Sequence, residues 1–172
     1  NNGPVLQIYE NSTVYLTLEG LNRLNVQNEN ATAILLHPNS TLNISGGGTL
    51  GVENKGSAVI NGGEGCEINI SGESTTVQLY NRRASNGDKS FAIRADGYPN
   101  YNLKVSVTDG AALWAYGGIS CAELTLDDTV KFWSQAWATD PWHDDALDCA
   151  VNYRSDRGIY LYYDRPHPMY NS

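Results

Sequence analysis

A repeat every 26 positions, apolar residues on a period of two within it, and glycine and asparagine at its breaks predict an all-β fold. The predicted architecture is a right-handed parallel β-helix, a solenoid of about five coils with three short strands each. A C-terminal helix and tail are expected to cap it. Single strands of this length hold too little apolar mass to fold alone, so each must stack on its predecessor, with coils roughly 4.8 Å apart.

Three registers carry the repeat. LTLEG at 16–20, LNISG at 42–46 and INISG at 68–72 each begin 26 positions after the one before. Leu24 and Val26 correspond to Leu50 and Val52 and, one residue late, to Val77 and Leu79. Ile34 and Leu36 correspond to Ala58 and Ile60, and more loosely to Phe91 and Ile93. Alternation places Leu16, Leu18, Leu42, Ile44, Ile68 and Ile70 inside and Thr17, Asn43 and Asn69 outside. Glycine and asparagine supply the positive-φ corners that each coil must turn.

Beyond residue 80 the pattern loosens. Val105 and Val107 lead to Leu113, and Leu124 and Leu126 lead to Phe132, with the offset that takes Ile44 to Leu50. Between the third and fourth coils, NRRASNGDKS reads as a protruding loop, and the step from Val105 to Leu124 is short at 19 residues. Coils are thus expected over 1–134 and a cap over 135–172 of the same domain. In DPWHDDALDCAV, Asp140 suits a helix N-cap and Pro141 the first helical position. Trp142, Ala146, Cys149 and Ala150 would share one face of that helix. GIYLYYDRPHP alternates as a strand and is expected to return along the outside of the coils.

Composition bounds the function. The 172 residues suffice for one domain, and a net charge of −8 opposes binding to nucleic-acid phosphates or anionic lipid. No run reaches the roughly 20 apolar residues of a membrane helix. The opening NNGPVLQIYE lacks the basic and apolar parts of a signal peptide, while a strand pattern already runs at Val5. Either the protein is cytoplasmic or the sequence is an excised piece of a longer, processed chain with flanking domains. The strand pattern at Val5 favours the excised piece. Cys66, Cys121 and Cys149 have no metal-ligand spacing and read as core or turn residues.

The order of LTLEG, LNISGGGTL and NGGEGCEINISG across residues 11–80 resembles the glycine-rich β-helix repeats of secreted and cell-surface bacterial proteins. Many of those are carbohydrate-binding or adhesin-like domains. The resemblance implies a secreted or cell-surface location and a polysaccharide or glycan partner. Some related modules hold calcium in turns with a DGDG-like pattern; no such turn occurs here, so no cofactor is expected.

The outward column of the second strand points the same way. It reads Asn25, Gly51, Gln78, Trp114 and Trp133, and two positions on it reads Gln27, Glu53, Tyr80, Tyr116 and Gln135. Stacking would set Trp114 over Trp133 with Tyr116 and Tyr80 beside them. Indole and phenol faces stack on the apolar face of a pyranose, while amides and acids bond its hydroxyls. The expected binding residues are Trp114, Trp133, Tyr116, Tyr80, Trp137 and Asp128, with Asp127 and His143 also on the rim. The competing reading packs the Tyr- and Trp-rich tail over this patch as a lid.

Other chemistry finds less support. Asp140, Asp144, Asp145 and Asp148 resemble a metal or catalytic cluster, yet a cap and first-turn acids explain them. Sugar-cleaving β-helices need carboxylate pairs on adjacent coils, or calcium with a base. The paired bases Arg82–Arg83 and Arg154–Arg157 lie in the insertion and tail, and His37, His143 and His167 fit no triad. Five N-x-S/T sequons, at Asn11, Asn30, Asn39, Asn43 and Asn69, match glycosylation sites of a secreted eukaryotic protein, although the repeat's own turn chemistry explains several of them. The threonine array of an ice-binding face is missing. The expected function is a non-catalytic carbohydrate-binding or adhesion module. A structural spacer of a surface protein ranks second, and a polysaccharide lyase or glycoside hydrolase third.

Overall fold

The computed structural model describes residues 3–82, 91–96, 102–136, 147–153 and 160–163, with backbone pairing alone from Gln135 onward. It is all-β, and every strand pairs in parallel with strands one repeat away. The first rung holds β1 (Leu6–Ile8), β2 (Thr13–Thr17) and β3 (Leu21–Val26). The second holds β4 (Ile34–Leu36), β5 (Thr41–Ser45) and β6 (Thr49–Asn54), and the third β7 (Ala58–Gly62), β8 (Glu67–Ser71) and β9 (Thr76–Asn81). The fourth holds β10 (Phe91–Ala95), β11 (Lys104–Thr108) and β12 (Ala112–Tyr116). β13 (Ile119–Leu126) with β14 (Lys131–Ala136) makes the fifth, and β15 (Leu147–Tyr153) with β16 (Tyr160–Tyr163) the sixth.

Third strands stack in the order β3-β6-β9-β12-β14-β16, forming one sheet. First and second strands belong to the other, because β13 pairs through its first half with β10 and through its second half with β11. This explains the short fourth coil. ISCAELTL contains no Gly, Asn or Pro, so the chain runs through the first corner as one strand, and Val105 meets Leu124 after 19 residues.

Like residues stack on like. Leu42, Ile68, Val105 and Leu124 are successive register partners, each at most 1% exposed. Fully burying such a side chain contributes about 1.5–3 kcal/mol, and the column repeats that gain at every rung. Two buried asparagines form a polar counterpart: Asn54 and Asn81 are register partners at the ends of β6 and β9. The Asn54 amide donates to the carbonyls of Ala31 and Ala58, and that of Asn81 to those of Gly56 and Phe91. Each thereby ties together carbonyls at the third corner, where β7 and β10 begin.

Corners close as the turn residues demand. Asn11 and Asn39 hold φ 57°, and Gly46 holds φ 109°. A Cβ on Gly46 would lie 2.7 Å from the Leu18 carbonyl oxygen, so the rung below approaches too closely for any side chain. The first rung has no such cover. Val5, Tyr9, Tyr15 and Leu21 are all more than half exposed, and inward Leu6, Val14, Leu16 and Leu24 are only partly buried.

Three expectations change. The first rung lies two residues from its expected register, since Leu16 meets Ile44 and Leu24 meets Val52; in the second rung, Ile34 likewise meets Ile60 rather than Ala58. The interval from rung one to rung two is 28 residues, as from Leu6 to Ile34, so Tyr15 rather than Thr17 lies over Asn43. The capping helix is not present over Leu147–Tyr153, which is a strand paired with β13; residues 140–146 lie outside the described residues. Its Leu, Cys, Val and Tyr recur at every second position, and parallel pairing satisfies the edge that a cap was expected to cover. Tyr160–Tyr163 does not return along the outside but adds a parallel rung to β14. Of the protruding insertion, residues 83–90 lie outside the described residues, and Arg82 at its start pairs with Glu53.

Candidate functional site

The outer face of the third-strand sheet gathers the aromatics. Outward positions alternate with the buried Val77, Leu79, Leu113, Ala115 and Phe132, so they fall on one face. Trp114 and Trp133 are register partners with ring centroids 6.2 Å apart at 48°. Tyr116 meets the Trp133 ring edge-on at 4.3 Å and 65°, and Tyr80 lies 5.4 Å from Tyr116. Such tilted pairs are the favoured arrangement of aromatic quadrupoles. All four rings are partly exposed.

This column begins in small and polar residues. Arg23, Gly51 and Gln78 precede Trp114 on successive rungs, and Asn25 and Glu53 precede Tyr80. Pairing of β14 with β16 places Tyr160 at the register position after Trp133 and Tyr162 at that after Gln135. Both were missed in the sequence because the tail was assigned to a path outside the coils. Their spacing from Trp133 and Gln135, one further repeat, is the signal that could have found them.

Beside Trp114 a groove of about 770 Å³ opens along the corner between second and third strands. Glu73, Gln78, Asp109, Trp114, Thr129 and Lys131 contribute to its wall. Sequence reasoning named only Gln78 and Trp114 among these, since Glu73, Asp109 and Thr129 sit in corners where no alternation marks a facing direction and Lys131 opens its strand at the corner's edge. Ser74 and Asp109 are themselves at positive φ, so the corner backbone is sharply turned.

Asp127 holds two corners together. Its carboxylate accepts from the Asp109 amide at 2.7 Å on the preceding rung, and from the Thr129 amide and hydroxyl at 2.8 and 2.6 Å. The Thr129 hydroxyl accepts in turn from the Gly110 amide at 2.6 Å. Desolvation is the largest single influence and pushes the Asp127 carboxyl upward, but these bonds and one from the Val130 amide together outweigh it and hold the group below the ordinary carboxylate range. Asp127 is thus a turn residue. Asp128 is exposed in the same corner but does not line the groove, and Trp137 and His143 lie outside the described residues. Among the described residues, no group of three His, Cys, Asp or Glu side chains is placed to hold a metal ion.

The site therefore offers a column of partly exposed, mutually tilted rings next to a trough rich in hydroxyl, amide and carboxylate groups. Compared with known proteins, the chain matches no family model, no curated protein and no solved structure.

Proposed function

We propose that this chain is a non-catalytic carbohydrate-binding or adhesion module of a secreted or cell-surface protein. Its stacked strands are read as a right-handed parallel β-helix, the hand that crossovers between parallel strands almost always take. The observation that carries the function is the alignment of Trp114 with Trp133, flanked by Tyr116 and Tyr80, on one rigid face. Pyranose rings stack on such faces, and a sheet fixes their spacing without loss of loop entropy on binding.

Retention on an array of immobilised polysaccharides tests this reading. The protein should be held by at least one polymer, and Trp114→Ala and Trp133→Ala should each release it while leaving the circular dichroism unchanged. Unchanged retention in both variants would remove the aromatic face from the account. Release of reducing or unsaturated ends from the polymer would instead favour catalysis.

A spacer role has one observation in its favour. The first rung leaves three strand edges and a half-open core end without a neighbour among the described residues, a surface that a stacking partner would cover. A spacer would be retained by no polysaccharide.

A further inference from the structure

Trp114 belongs to two features at once: the aromatic column and the corner groove. Several of that groove's polar groups are not consumed by the fold. Glu73, Ser74, Thr76, Gln78 and Lys131 line it and form no side-chain hydrogen bond or ion pair among the described residues. In contrast, corner residues with a structural task are bonded. Thr75 accepts from the Gly47 amide at 3.1 Å, and Thr129 and Asp127 tie neighbouring rungs.

The unused groups are matched to hydroxyls. Gln78 and Lys131 donate, Glu73 accepts, and the Ser74 and Thr76 hydroxyls do both. A sugar ring presents the same mixture around its edge and an apolar face for Trp114. Their charges add a filter. Glu73 and Asp109 set two carboxylates against the single ammonium of Lys131, Asp128 is exposed at the next corner, and the whole chain carries −8. A polymer of uronic acids would bring like charge to within a Debye length of about 10 Å.

Resting on the carbohydrate reading above, we infer that the groove beside Trp114 is a subsite for an uncharged hexose or pentose unit, and that its acidic wall excludes polyuronates. The ligand then reaches around the corner, with one ring in the groove on Trp114 and its neighbours along Trp133 and Tyr116.

Titration calorimetry with neutral gluco-, manno- and xylo-oligosaccharides and with oligogalacturonate tests the inference. At least one neutral series should bind. Glu73→Ala with Gln78→Ala, both at exposed positions, should weaken it about tenfold, the loss of one or two hydrogen bonds. Oligogalacturonate should not bind the wild type, whereas Glu73→Lys with Asp109→Asn should bind it at low salt and lose it at high salt. Full neutral affinity in the Glu73→Ala, Gln78→Ala variant, with loss in Trp133→Ala, would overturn the subsite and leave the aromatic reading standing. Equal wild-type affinity for oligogalacturonate would overturn the charge filter. Binding of no saccharide would take both readings down together.

Discussion

Trp114 and Trp133 are 19 residues apart in the chain and adjacent in space because Leu113 and Phe132, one position earlier, are stacked core residues. The inward residues set the register, and the outward rings follow from it. The aromatic face is a by-product of core stacking, so stability and the alignment of the rings share one geometric cause.

That geometry is open to cross-linking. Asn43 and Asn69 are register partners on adjacent rungs, joined by a 3.0 Å side-chain hydrogen bond. Parallel neighbours fall within the Cα separation that a disulfide spans, about 4.4–6.8 Å. Asn43→Cys with Asn69→Cys should cross-link on mild oxidation, read by mass spectrometry after proteolysis. Asn43→Cys with Ser71→Cys, two positions out of register, should not. Equal yields in both pairs would contradict the stacking.

Glycine positions separate close approach from mere turn chemistry. Gly46→Ala meets both a φ of 109° and backbone atoms within 2.8 Å, and should cost at least the roughly 1–3 kcal/mol of a strained residue. Gly51→Ala meets nothing nearer than 3.8 Å on an outward strand position and should leave stability nearly unchanged. Urea unfolding of the two variants reads the difference; equal stability in both would contradict the turn and the close approach of rungs one and two.

The buried asparagine pair makes a sharper demand. Asn81→Leu removes the donor to the Gly56 and Phe91 carbonyls and leaves both inside the corner. Each unsatisfied buried group costs about 1–3 kcal/mol, so the variant should lose several kcal/mol in denaturant unfolding. Wild-type stability in Asn81→Leu would mean that those carbonyls find other donors.

Acid sensitivity should trace to Asp127. Its carboxylate is held below the ordinary range, so its contribution to stability is present above the unfolded value of about 3.9 and fades as pH falls through the folded value. Asp127→Asn should be less stable than wild type at pH 7, and the gap should narrow below about pH 4. A gap independent of pH would show that the ionised carboxylate is not what ties the corners.

Much of this was legible in the sequence, and the failures share a cause. Alternation told inside from outside for Leu42, Ile44, Ile68 and Ile70, because a one-residue slip would turn each of them to solvent. A two-residue slip keeps every face correct, so the first rung's extra length was invisible: Leu16 lies inward whether it meets Leu42 or Ile44. The Trp114–Trp133 register was readable because Val105, Leu113, Leu124 and Phe132 keep one offset without insertion. Corner residues such as Glu73 and Asp109 carry no periodic signal, and their groove became visible only in three dimensions. The tail's helix expectation fails over Leu147–Tyr153 because LDCAVNY is too short for its period to be told from a strand's. Asp140 and Pro141 lie outside the described residues.

One measurement addresses the central claim without intermediates: calorimetric titration of a fragment of the retained polysaccharide into wild type and into a Trp114→Ala, Trp133→Ala double variant of unchanged fold. The account predicts saturable binding by the first and none by the second, a loss larger than removal of the Glu73 and Gln78 side chains produces. Equal affinity in the two proteins would contradict it.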